Sequence, residues 1–323
     1  MSPRAIHDFR PDEEQMALWP KVSGNSINGL SEAQRRRPTP IYWHAPDATP
    51  HGPLQRWFYA RTNVEPAVQH ARAERQSALD EPLAPLAAEP RVQSATQWTT
   101  TVKRLAREYG ADSVGVTAMR PEYVFEGHQL PTQSWMVILA VRQRYEEMAT
   151  APSTRSLVEV TRQYTRGNRI AMQLASALRQ EGHDATPYGG PMAGSFLLIP
   201  AAIAAGLGEL GKHGSLIHRE LGSNFRLACV LTDLPLIADQ LDSFGADDFC
   251  ARCRICTDAC PPDAISAQKQ LVRGDTRWYV DFDKCLPYFN ENMSCAICVT
   301  VCPVSRPGMG PQLVQKLTAR RSR

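Results

Sequence analysis

Hydrophobic and polar positions change period several times along the chain, and each change predicts an element. Val102, Leu105, Ala106 and Tyr109 recur at helical spacing, with Gly110 suited to close the helix. Val114 and Val116 alternate as in a strand, and Trp135 to Val141 is an unbroken apolar run fit for a buried strand. A long helix is predicted next, carrying Leu157, Val160, Tyr164, Ala171, Leu174 and Leu178 on a recurring face and ending before Gly182. Gly167 and Asn168 are expected to interrupt it. Phe196 to Ile199, a short helix opened by Pro200 and a strand from Arg226 to Leu231 complete a mixed α/β pattern.

Before this region the pattern is broken. Pro38, Pro40, Pro46, Pro50 and Pro53 exclude any long element, and one helix is expected from Val68 to Leu79. Trp19, Tyr42, Trp43, Trp57, Phe58 and Tyr59 mark this stretch as an arm that packs onto something else. The sequence thus divides into an extension (1–97), an α/β domain (98–245), a cysteine-rich domain (246–310) and a basic tail (311–323).

Composition narrows the class without naming a function. Hydrophobic residues make up 43% and charged residues 21%, ordinary for a globular protein with a substantial core. A net charge of +3 is too small to argue for nucleic acid or a membrane surface as partner. No stretch approaches the ~20 apolar residues that span a bilayer. The residues from Met1 to Asp8 lack the charged-then-apolar pattern of an export signal, and the run Arg35 to Arg37 is followed by prolines; the expected location is cytoplasmic.

Eight of the nine cysteines fall in two tracts. Cys250, Cys253, Cys256 and Cys260 are followed by Pro261; Cys285 precedes Cys295, Cys298 and Cys302, followed by Pro303. A cubane needs four thiolates converging on one small volume, and three closely spaced cysteines supply most of them. The fourth cysteine of such a run ligates the other cluster. Cluster A is therefore assigned to Cys250, Cys253, Cys256 and Cys302, and cluster B to Cys260, Cys285, Cys295 and Cys298. A zinc site would favour two CxxC pairs or histidines, and a disulfide framework suits small secreted domains. Cys229 sits in an apolar strand and reads as a core thiol.

Glycines concentrate at 189–194 and 206–214, where backbone can approach a large flat or anionic ligand. Gly206, Gly208 and Gly211 match the dinucleotide fingerprint in spacing, but the preceding alanine-rich stretch is helical rather than a strand. A helix–turn serving another cofactor, or a plain tight turn, fits better.

The stretch from Ile199 to Gly214, then Gly222 to Arg226 and Leu231 to Leu236, followed by both cysteine tracts, resembles the reductive dehalogenase family over about residues 98–305. Epoxyqueuosine reductase is a related architecture. The resemblance implies a nitroreductase-like corrinoid-binding domain joined to a bacterial-type ferredoxin domain with two [4Fe-4S] clusters. It implies cobalamin held without a protein histidine, surrounded by Gly190, Ile199, Pro200, Gly206, Leu207, Gly208, Gly211, His213 and Gly214. Reduced cobalamin would cleave the carbon–halogen bond of an organohalide, fed with single electrons by the clusters. Tyr164 matches the family's proton donor and Arg226 the basic residue that favours its phenolate. Tyr188 is a second candidate donor. His128 is expected to be a satisfied surface histidine, and Lys212 to be solvated or near the cofactor's amides. Reduced ferredoxin or flavodoxin is the expected electron donor.

Two other readings stay open. Epoxyqueuosine reductase carries an acidic residue after the helix tyrosine, where this chain has Gly167, Asn168 and Arg169, and its Gly-Leu-Gly-Trp run is Gly-Leu-Gly-Glu209 here. A non-catalytic iron–sulfur or corrinoid electron-transfer protein would keep the cysteines without needing Tyr164 or Arg226.

Overall fold

A computed structural model describes residues 9–191 and 194–321. Met1 to Asp8, Met192 and Ala193 of the glycine segment, and the last two residues of the basic tail lie outside the described residues. The proline-rich arm forms two main helices, α1 (Gly52–Thr62) and α2 (Pro66–Leu79), each opened by a proline in its first turn, where no intrahelical N–H is needed. Val68 and Ala71 of α2 join Phe58 of α1 against Leu157 and Val158, so the arm is tied down by a core of its own.

Helix α3 (Ala95–Glu108) leads into β1 (Ser113–Ala118) and β2 (Trp135–Arg142). The 27-residue α4 (Thr154–Gln180) then crosses the sheet, opened by a capping box between Ser153 and Ser156. It runs through Gly167 and Asn168 unbroken. Gly167 is buried, and a Cβ there would lie 3.3 Å from Ala228 Cβ, so the glycine brings helix and sheet close together rather than breaking the helix. Strands β3 (Ala185–Tyr188) and β4 (Phe225–Thr232) complete an antiparallel sheet in the order β1-β2-β4-β3, with Pro187 on the edge strand, where it removes no central ladder bond.

The apolar run in β2 is explained by cover on both faces. Val137, Leu139 and Val141 face one core with α3 and α4; Met136, Ile138 and Ala140 face a second core that includes α5 (Leu198–Ala204). Helix α5 opens at Leu198, two residues earlier than expected, and Pro200 sits in its first turn.

The cysteine-rich region carries α6 (Phe282–Glu291), and the basic tail is a helix, α7 (Met309–Arg321), whose Val314 and Leu317 are buried. The arm packs onto α6 through a buried polar chain. Tyr42 Oη donates to Asn290 Oδ1 (2.7 Å), and Asn290 Nδ2 donates to Gln15 Oε1 (2.8 Å). No helix among the described residues is long and apolar enough to cross a membrane.

Candidate active site

Tyr164 and Arg226 come together where α4 passes the first turn-in of β4. The guanidinium carbon of Arg226 stands 5.5 Å from the centroid of the Tyr164 ring, over its face. Arg226 Nη1 donates to the carbonyl of Phe225 at 3.2 Å, and its buried Nε has no protein partner.

Both side chains line a cavity of about 480 Å³, within the range of small-molecule and cofactor sites. Cys285 lines it too, so one space touches both a cysteine of the second tract and the tyrosine–arginine pair. Phe125, Phe196, Leu198 and Phe225 make much of the wall apolar, and no carboxylate lines it. The apolar face of a bound group fits such a wall.

Of the residues expected around the corrinoid, Gly190 and Ile199 line this cavity; Pro200, Gly206, Leu207, Gly208, Gly211, His213 and Gly214 are not on its wall. The glycine run is shaped by protein packing instead. A Cβ at Gly206 would meet Gln240 O at 2.3 Å, one at Gly208 would meet Ile217 O at 2.0 Å, and one at Gly211 would meet the His213 ring at 2.6 Å. Leu207 is in the core, and Gly214 abuts Val280. His213 is buried, accepts from Ser215 N–H at Nδ1 (3.2 Å) and contacts Ser223 Oγ through Nε2 (3.1 Å); burial lowers its pKa to about 4. Tyr188 packs edge-on against Phe196 and is not on the cavity wall, and His128 hydrogen-bonds Ser195 Oγ. Arg169 lies on the exposed side of α4, facing Glu81 at 3.9 Å.

Residues of the arm enter the site, among them aromatics that mark the arm in the sequence. Trp43, His44 and Tyr42 line the large cavity. Behind Tyr164, Tyr59, Arg72 and Arg75 bound a smaller one of about 190 Å³.

The thiols fall into two neighbouring groups of four. Cys250, Cys253, Cys256 and Cys302 sense one another, and Cys260, Cys285, Cys295 and Cys298 do the same; Cys298 also senses Cys256, so the groups abut. Among the described residues no three ligand side chains converge on a point as one metal ion requires. A cubane is wider, and two abutting groups of four suit it. Burial pushes the thiols of Cys250 and Cys256 up to about 12 and that of Cys295 up to about 11, so binding iron has to displace protons. Lys212 is buried rather than solvated. Its N–H donates to Cys250 Sγ at 3.5 Å and its ammonium to the carbonyl of Cys253 at 2.7 Å. Cys229 is a fully buried core thiol in β4 whose pKa burial raises.

Residues 249–305 match the family model of a 4Fe-4S dicluster domain. The tetrachloroethene reductive dehalogenase of Dehalobacter restrictus (strain DSM 9455 / PER-K23) is 36% identical over 180 residues, 52% of this chain and 32% of that protein. Over that stretch this chain is similar to reductive dehalogenases. An epoxyqueuosine reductase of Leadbetterella byssophila is 38% identical over 116 residues, 31% of this chain and 34% of that protein. The solved catabolic reductive dehalogenase NpRdhA superposes with a TM-score of 0.74 at 23% identity, covering 95% of this chain and 49% of that one. The fold is that of reductive dehalogenases: a mixed helix-and-sheet domain followed by a dicluster domain. The chain spans about a third of the length of the curated relatives it matches.

Proposed function

We propose that this chain is a cobalamin-dependent reductive dehalogenase in which two [4Fe-4S] clusters feed the cavity and Tyr164 provides the proton. The observation that carries this reading is the single space lined by Cys285, Tyr164 and Arg226 together. Its apolar walls suit the face of a corrin, and cobalamin when bound would supply the strong reductant that carbon–halogen cleavage requires. The net change is R–X plus two electrons and one proton giving R–H and X⁻.

The chain's own residues have three tasks. The eight cysteines hold the iron, with Cys285 bringing cluster B to the cavity wall. Tyr164 delivers its hydroxyl proton to the carbon as halide leaves. Arg226, held over the ring face, favours the negative charge left on the phenolate. Electrons come from a small reduced carrier such as ferredoxin or flavodoxin, and a cytoplasmic location suits that supply.

Anaerobic reconstitution with iron, sulfide and hydroxocobalamin tests the reading. EPR is expected to show two clusters and a cobalt signal broadened by one of them, and a panel of halogenated phenols and alkenes should release halide. Two clusters with no retained corrinoid would favour an electron-transfer protein instead.

A further inference from the structure

The smaller cavity behind Tyr164 carries two guanidinium groups, those of Arg72 and Arg75, that the proposed reaction does not use. Arg72, Arg75 and Arg226 all line it, with the phenols of Tyr59 and Tyr164, and its wall has no carboxylate. Among the described residues none of the three arginines forms an ion pair. Arg72 donates only to neutral acceptors: Thr62 Oγ1 at 2.7 Å, Asn63 Oδ1 at 3.3 Å and the Tyr59 carbonyl at 3.4 Å. The Nε atoms of Arg75 and Arg226 are buried without a hydrogen-bond partner. Burial lowers the pKa of Arg72 and Arg75, and Arg75 lowers that of Arg72 further.

Partly buried guanidinium groups without a counterion leave their charge poorly compensated, and planar guanidinium forks match the two oxygens of a carboxylate. The rest of the wall is aromatic. Trp43, Phe58 and Phe289 stand within 5.5–5.9 Å of one another, centroid to centroid, and Arg72 lies 4.6 Å over the Tyr59 ring. Gly190 is part of the same arrangement: a Cβ there would meet Arg75 Nη2 at 2.5 Å, so the bare backbone leaves room for the guanidinium.

We infer that this cavity takes a single-ring aromatic anion, a carboxylate or phenolate, with Arg72 and Arg75 holding the charged group and Tyr164 facing the ring. The inference rests on the proposed dehalogenation for calling that anion the substrate, but its binding test does not. The cofactor's phosphate is the other source of negative charge, and the experiment separates the two.

Calorimetry on the reconstituted full chain, with 3-chlorobenzoate and the neutral 3-chlorobenzamide as probes, reads the preference directly. The benzoate is expected to bind at least tenfold more tightly, from the usual strength of charged hydrogen bonds. Arg75→Gln and Arg72→Gln should each bring the two affinities closer, while Arg75→Lys keeps most of the difference. Equal affinities in the unsubstituted protein would overturn the inference, and so would a preference that survives both glutamine variants. Loss of cobalamin from Arg75→Gln with the benzoate preference intact would assign the guanidinium to the cofactor and also overturn it. Benzoate preference without halide release from any organohalide would sink the dehalogenase reading and leave this one standing.

Discussion

The ammonium of Lys212 donates to the carbonyl of Cys253 at 2.7 Å while lying 4.9 Å from the centroid of the Trp278 ring. This places a buried cation beside the thiols assigned to cluster A. Reduction adds negative charge to a cluster, and a nearby fixed cation stabilises the reduced form. Lys212→Met is therefore expected to lower the midpoint potential of one cluster by on the order of 100 mV, by Coulomb's law at an effective dielectric of about 20. EPR-monitored redox titration checks this, and two unshifted potentials would remove the role.

The division of thiols predicts crossed ligation. Cys260→Ser should damage the cluster held by Cys285, Cys295 and Cys298, although it belongs to the first tract in sequence. Cys302→Ser should damage the other. Iron content and EPR spin counts of the two variants should each report a lost cluster, with different signals surviving. Loss of the same signal in both would contradict the assignment.

Tyr164→Phe removes a hydroxyl and leaves the ring that Arg226 covers. Turnover should fall by roughly 10²–10⁴, the usual contribution of a positioned acid, while retained cobalamin per chain is unchanged. Halide release at the unsubstituted rate would transfer the proton donation elsewhere.

Four imidazoles predict the acid sensitivity of the fold. Burial depresses the pKa of His44, His51, His213 and His218, with His213 lowered to about 4. A group depressed in the folded state binds more protons when unfolded, so its stabilisation is complete above the unfolded value near 6.5 and is lost as pH falls towards 4. For His213 the loss is on the order of 3 kcal/mol over that window. The melting temperature is expected to drop between pH 7 and pH 5, and His213→Gln should flatten that part of the profile. A profile unchanged by the substitution would show that His213 does not drive it.

The parts legible in the sequence were those whose cause is local. Cysteine spacing states its own chemistry, and the unbroken apolar run of β2 follows from cover on both faces of one strand. The long helix was legible by its period, but the expected break at Gly167 and Asn168 was not met, because packing against Ala228 outweighs the local weakness of glycine. The glycines from Gly206 to Gly214 signalled close backbone approach, and the approach is to Gln240, Ile217 and Val280 rather than to a cavity. Arg72 and Arg75 gave no signal at all. They reach Tyr164 only because α2 lies along α4, a relation between distant segments that no spacing rule encodes.

The buried chain from Gln15 through Asn290 to Tyr42 also orders events in time. Gln15 and Tyr42 leave the ribosome 275 and 248 residues before Asn290. Until Asn290 emerges, Tyr42 and Gln15 lack the amide that joins them, so this latch between the arm and the cysteine-rich region closes only after α6 has been made.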